Sequence, residues 1–140
     1  MTSKFAPLTK LKKEQLEEVR RHLLEANLYI QNLEKELQGF EQDLRNQKSP
    51  TSGTIALFSQ YTALTQACHD QIIRKKDEIY YAKQERHKIQ DQVKAALLEF
   101  EKFNYLQIEE EKAHMLKIKK QEALLLDEVA ILGYNAKKTS

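Results

Sequence analysis

Between Leu16 and Leu44 the apolar residues fall alternately three and four apart: Leu16, Val19, Leu23, Ala26, Ile30, Leu33, Leu37, Phe40 and Leu44. Glu, Lys, Arg, Gln and Asn fill most of the gaps. This is the a/d pattern of a heptad coiled coil, sustained for about four heptads. A helix written this way has a narrow apolar seam and a polar remainder. It is not stable alone in water, because the seam needs a partner.

The chain supplies that partner itself. Pro7 suits the first turn of a helix, where its missing N–H costs nothing. Helix one is therefore expected over residues 7–47, after a frayed start at Met1–Ala6. Leu8 and Leu11 open it slightly out of phase with the seam. Gly39, inside the helix, costs about 1 kcal/mol relative to Ala. The cluster Lys48-Ser-Pro-Thr-Ser-Gly-Thr54 concentrates the turn residues: Pro50 stops a helix, Gly53 permits unusual backbone angles, and Ser52 or Thr54 can cap a second helix. A connection this short makes the two helices antiparallel neighbours.

Helix two is expected over residues 55–132, with Gly133 as its stop and a tail over 133–140. Its seam runs from Phe58 and Tyr61 through Thr65, Cys68, Ile72, Lys75, Ile79, Ala82, Arg86, Ile89, Val93 and Ala96 to Phe100 and Phe103. Thr65, Lys75 and Arg86 are polar members, which weaken a coiled coil but help set its register. Beyond Phe103 the phase slips by one residue, and Met115, Ile118, Leu125, Val129 and Leu132 carry the stripe. The fold class is thus all-α: two long helices in an antiparallel coiled-coil hairpin, the second longer than the first. Folding about Thr51 places Leu8 near Lys94 and leaves everything from about Ala95 without an intramolecular partner. At 1.5 Å per residue that overhang reaches roughly 60 Å. It is rich in Leu, Ile, Phe and Met, and an exposed apolar stripe of that size marks a binding surface.

Composition agrees with this picture. Charged residues make up 31% of the chain, against only 3 Gly, 2 Pro and no Trp, so there is little material for turns or for a thick core. Net charge is +2, with acids and bases interleaved. The basic clusters Lys10/Lys12/Lys13, Arg74/Lys75/Lys76 and Lys117/Lys119/Lys120 read as solvated helix faces, because a nucleic-acid binder shows a more one-sided excess. Cys68 is the single cysteine, which rules out an internal disulfide. No apolar run suits a membrane span, and the start lacks the apolar core of a signal peptide. The expected compartment is the cytosol.

The chemistry of enzymes is not evident. There is no glycine-rich phosphate loop, no Cys-x-x-Cys, no His-Glu-x-x-His and no nucleophile elbow. Glu111-Lys-Ala-His114 has the Glu-x-x-His spacing of di-iron bundles, but those sites need a second copy and two further glutamates. Glu18/His22 and His87/Asp91 are ordinary i,i+4 pairs. Tyr80 and Tyr81 read as seam edge and flank rather than a base-stacking platform. Phe58, Tyr61 and Leu64 either pack the hairpin tip or face outward to a partner. The expectation is a non-enzymatic protein with no cofactor and no metal.

Three stretches resemble the FliJ family, the small soluble component of the bacterial flagellar type III export apparatus. Lys4-Phe-Ala-Pro-Leu-Thr-Lys-Leu-Lys-Lys13 is similar to its opening, Phe-x-x-Leu-x-x-Leu followed by basic residues. Phe58-Ser-Gln-Tyr-Thr-Ala-Leu64 with Ile72 is similar to the start of its second helix. Lys120-Gln-Glu-Ala-Leu-Leu-Leu-Asp-Glu-Val-Ala130 resembles its ending, and Leu126-Asp-Glu-Val-Ala130 is the most specific piece.

The resemblance implies a two-helix stalk similar to that of the rotary ATP synthase gamma subunit, peripheral at the inner-membrane export apparatus and serving flagellum biogenesis and motility. Its partners would be the export ATPase hexamer, the cytoplasmic domain of the export-gate membrane protein, and export chaperones, without nucleic acid or direct membrane insertion. By position, Phe58, Tyr61, Leu64, Cys68 and Ile72 match the region used toward the gate. Leu8, Leu11, Phe100, Phe103, Met115, Ile118, Leu125 and Val129 would serve the ATPase ring, whose pore can cover the apolar stripe. A self-associating structural coiled coil, with the overhang paired to its own copy, buries the same stripe.

Overall fold

In a computed structural model, which describes residues 3–139, the chain forms two helices, α1 (Ala6–Asn46) and α2 (Ile55–Thr139). They pack against each other as an antiparallel hairpin in which α2 is about twice as long as α1. The residues fall into two compact units. One is Glu17–Ala95; the other joins the start of α1, up to Leu16, with α2 from Ala96 onward.

In the Glu17–Ala95 unit the expected seams face each other. Ile30 and Leu33 of α1 are 2% and 4% exposed, and Ile72 and Ile79 of α2 are also buried. Every third or fourth residue between Tyr61 and Val93 is at least half-buried, as the heptad demands. The core is one seam thick, so no large side chain is completely enclosed among the described residues.

The polar seam members each find a polar partner across the interface. Thr65 donates to the amide oxygen of Gln47 at 3.0 Å, and the same amide's nitrogen approaches the Cys68 sulfur at 3.2 Å. Lys75 reaches Glu36 at 2.6 Å and Glu78 at 3.3 Å, with the Phe40 ring 5.9 Å from its ammonium. Arg86 donates to Asn27 at 3.3 Å. A polar group in an apolar seam is costly unless bonded, so these pairings select one alignment of the helices.

That alignment differs from the expected one. Asn27, expected opposite Lys75, meets Arg86 instead, and Lys12, expected opposite Gln90, stands 3.7 Å from Glu99. The offset is about ten residues, close to three helical turns. Its cause lies in the connection. Residues 47–54 run as an open segment, not a tight turn about Thr51, so α2 begins well before it meets the end of α1. Thr54, not Ser52, caps α2: its hydroxyl accepts from the Leu57 N–H at 3.3 Å and its carbonyl from the Leu57 and Phe58 N–H groups. Gly53 precedes it with φ +142°, a left-handed conformation that favours glycine.

In the other unit the seam persists by including polar residues. Thr9 and Lys12, not Leu8 and Leu11, continue the phase of Leu16; Thr9 is 8% exposed, whereas Leu8 and Leu11 are solvent-facing. On α2 the half-buried series after Phe103 is Gln107, Glu110 and His114. The start of α1 is pinned and not frayed over Ser3–Ala6; Met1 and Thr2 lie outside the described residues. Ser3 is 7% exposed and donates to the Glu110 carboxylate at 3.0 Å. Its hydroxyl also accepts from the Phe5 N–H, while Glu110 accepts from the Lys4 N–H at 3.4 Å. A carboxylate from α2 thus sits at the N-terminus of α1, where the free N–H groups and the helix dipole favour negative charge.

α2 does not stop at Gly133. It runs through to Thr139, and Ser140 lies outside the described residues. Glycine ends a helix by adopting positive φ, and among the described residues only Gly53 does so.

Candidate partner-docking surfaces

Because Ser3 is held at Glu110, α2 beyond that point extends past the start of α1. The overhang is therefore shorter than expected: it starts near Glu111, not Ala95, and spans about 29 residues or roughly 43 Å. Leu97, Phe100, Phe103 and Leu106, expected to be unpartnered, are half-buried in the paired stretch. What remains is still strongly apolar. Met115, Leu116, Leu124, Leu125, Leu126, Val129, Ile131 and Leu132 are all between 52% and 69% exposed. Apolar area at this density is costly in water, which makes this face the leading candidate for a docking surface in its unit. Near its base, Ile108, Met115 and Leu116 with Glu111, Lys112 and Lys119 form an open depression of about 360 Å³.

The residues assigned to the ring thus divide. Leu125, Val129 and Met115 are exposed and Ile118 is half-buried on the overhang. Leu8 and Leu11 are exposed on the first turns of α1, also in this unit. Phe100 and Phe103 belong to the seam, where the Lys12 ammonium lies 5.7 Å from the Phe103 ring.

In the Glu17–Ala95 unit the residues assigned to the gate also divide. Ile72 is buried in the seam, Cys68 is tied to Gln47, and Tyr61 is half-buried. Phe58 and Leu64 are exposed, at 42% and 61%. Ile55 and Leu57 stand exposed beside them on the opening turns of α2. The structure thus adds two apolar residues, Ile55 and Leu57, to this second, smaller patch. Their signal in the sequence was their place directly after the Thr54 cap, ahead of any seam partner.

The family described as Flagellar FliJ protein matches residues 1–139. The chain belongs to the FliJ family. The curated proteins and the solved structures compared with it give no match. FliJ membership makes the chain a component of flagellar protein export, and the helical hairpin suits the coiled-coil character expected of it.

No helix among the described residues is long and apolar enough to cross a membrane. No three His, Cys, Asp or Glu side chains among them gather as a metal site. Lys75 is held away from its ordinary titration by its neighbours. The hydrogen bond to Glu36 raises it above the ordinary lysine value of 10.5, partial desolvation opposes this, and Glu78 adds to the rise. It serves the seam of this FliJ-family hairpin, since it sits between the helices.

Proposed function

We propose that this chain is a non-enzymatic stalk and adaptor of the flagellar type III export apparatus. The overhang of α2, with Leu8 and Leu11, binds within the export ATPase ring. The opening turns of α2, with Phe58 and Leu64, dock on the cytoplasmic domain of the export-gate membrane protein. Held in this way at the inner membrane, the chain helps deliver chaperone-bound substrates. The observation that carries the reading is the overhang: about 29 residues of preformed helix with an exposed apolar stripe in a FliJ-family chain. A ring pore surrounds a helix on every side and so covers a stripe that no single groove would enclose.

Binding of purified chain to purified export ATPase, measured by co-sedimentation, tests it. The unaltered chain is expected to co-sediment, and Leu125→Glu with Val129→Glu to lose it while helicity by circular dichroism stays the same. Equal binding by that variant, or none by the unaltered chain, overturns the ring assignment. Phe58→Ala with Leu64→Ala is expected to leave ATPase binding intact and to weaken capture of the gate protein's cytoplasmic domain.

A further inference from the structure

The first turns of α1 meet α2 on different terms from the rest of the helix. From Leu16 to Leu44 every seam position of α1 is apolar, and Leu16 itself is 3% exposed. Ahead of Leu16 the same phase reads Phe5, Thr9 and Lys12. The α2 seam in this unit still offers two aromatic rings, Phe100 and Phe103, before it turns polar at Gln107 and Glu110. Carbon on α2 is therefore answered largely by polar side chains on α1.

The contacts made there are weak ones. Thr9 uses its hydroxyl within its own helix, donating to the Phe5 carbonyl at 2.9 Å. Lys12 lies 3.7 Å from a Glu99 carboxylate that is 48% exposed, and ion pairs in that setting contribute little. The Phe103 ring has the ammoniums of Lys12 and Lys102 at 5.7 and 5.5 Å, a cover of long flexible side chains. Leu8 and Leu11 face solvent, as do Lys10, Lys13 and Glu14. What secures the segment is its tip, where Glu110 accepts from the Ser3 hydroxyl and the Lys4 N–H.

We propose that residues 3–15 are a strap, latched at Glu110 and anchored at Leu16, that opens and closes over α2 while the seam of the Glu17–Ala95 unit stays shut. Closed, it helps keep Phe100 and Phe103 half-buried. Lifted, it bares both rings and moves the start of unpaired α2 from near Glu111 to near Leu97. The unpaired helix then grows from about 29 residues to about 43, or roughly 65 Å. α2 keeps its form in the process, because the stretch under the strap lies inside a continuous helix and the strap lies at an end. The strap thus sets how much apolar helix a partner finds. That the partner is the export ATPase rests on the function proposed above; the lifting itself does not.

Hydrogen exchange on the purified full chain reads the lifting. Amides of residues 6–15 should exchange about tenfold or more faster than those around Ile30 and Leu33, and faster than those of residues 97–110. Thr9→Leu with Lys12→Leu completes the apolar seam and should slow them by about tenfold or more, the scale of burying two leucine side chains. A partner that needs the bare rings binds in proportion to the lifted fraction. In co-sedimentation that variant should therefore bind export ATPase about threefold or more weakly than the unaltered chain, and Glu110→Ala about threefold or more tightly. A strap as well protected as Ile30, or exchange that the two leucines leave unchanged, overturns the strap. Slower exchange with unchanged ATPase binding overturns its control of access. If no variant binds the ATPase, the ring assignment fails and exchange alone still decides the strap.

Discussion

Replacing Glu110 with alanine should loosen the start of α1 and leave the Glu17–Ala95 unit unchanged. In the folded chain that carboxylate accepts from the Ser3 hydroxyl at 3.0 Å and from the Lys4 N–H at 3.4 Å. The first is the stronger contact, since Ser3 is 7% exposed and its hydroxyl has no equal alternative once the carboxylate is gone. A hydrogen bond to a charged group contributes about 1.5–3 kcal/mol when well enclosed. Favourable interaction with the helix N-terminus adds about 0.3–1 kcal/mol at partly exposed sites. Glu110 is only half-buried and the Lys4 contact is long, so solvent screening brings the contribution to the bottom of the combined range or below it, about 1–2 kcal/mol. That corresponds to roughly 5–30-fold faster local opening. Hydrogen exchange read by mass spectrometry resolves this. Peptides covering Ser3–Leu16 should lose about that much protection in Glu110→Ala, and less in Ser3→Ala, which keeps the carboxylate. Peptides around Ile30 and Ile79 should not change. Equal protection of the first turns in Glu110→Ala and the unaltered chain would refute the claim that this residue fixes where the pairing begins.

Ile30→Ala removes the most enclosed apolar side chain and should cost about 2–4 kcal/mol in urea unfolding, the usual range for a buried aliphatic residue cut to alanine. Gly39→Ala should raise stability by about 0.5–1 kcal/mol, because an added Cβ meets nothing within 4 Å and helix propensity improves. Gly53→Ala should do the reverse by about 1–3 kcal/mol, since its Cβ would lie 2.6 Å from the Leu57 Cδ2 at φ +142°. Lys75 titrates higher when folded than unfolded, so its contribution is complete below pH 10.5 and fades as pH rises through the raised value. Melting temperatures between pH 9 and 12 should therefore fall more steeply for the unaltered chain than for Lys75→Met; parallel curves would contradict this.

The parts of the fold legible in the sequence were those written in apolar residues. Leu16 to Leu44 announced the α1 seam because nothing else produces alternating steps of three and four over that length. The seam's extension was hidden because Thr9, Lys12, Gln107 and Glu110 are polar, and a search for greasy positions passes over them. Leu8 and Leu11 are the complementary case: they are apolar but a residue out of phase, as their spacing indicated, and the helix keeps its phase and leaves them exposed. The helix alignment was misjudged because turn residues mark where a connection lies and say little about how far it travels. A usable signal was present. Thr65, Lys75 and Arg86 on α2 match Gln47, directly after α1, and Glu36 and Asn27 within it in nearly equal spacing, and bonding need alone pairs them in the observed order. Of the candidate docking residues, exposure was predictable on the overhang, which extends past the start of α1. It was less so near the start of α2, where Phe58 holds a seam phase yet lies ahead of its partner.

The helix beyond Glu110 grows from a stretch that tertiary contacts already hold in helical form. An isolated segment of that length would first have to close its own initial turn, a step unfavourable by a factor of about a thousand, or roughly 4 kcal/mol. Here that step is complete at Glu110, and each further residue adds only one propagation step. The far end should therefore unravel residue by residue from Thr139 inward, never all at once. A binding protein meets ready-made turns near the root and looser ones toward the tip, so capture that begins at Met115 and advances outward encounters the smallest ordering penalty.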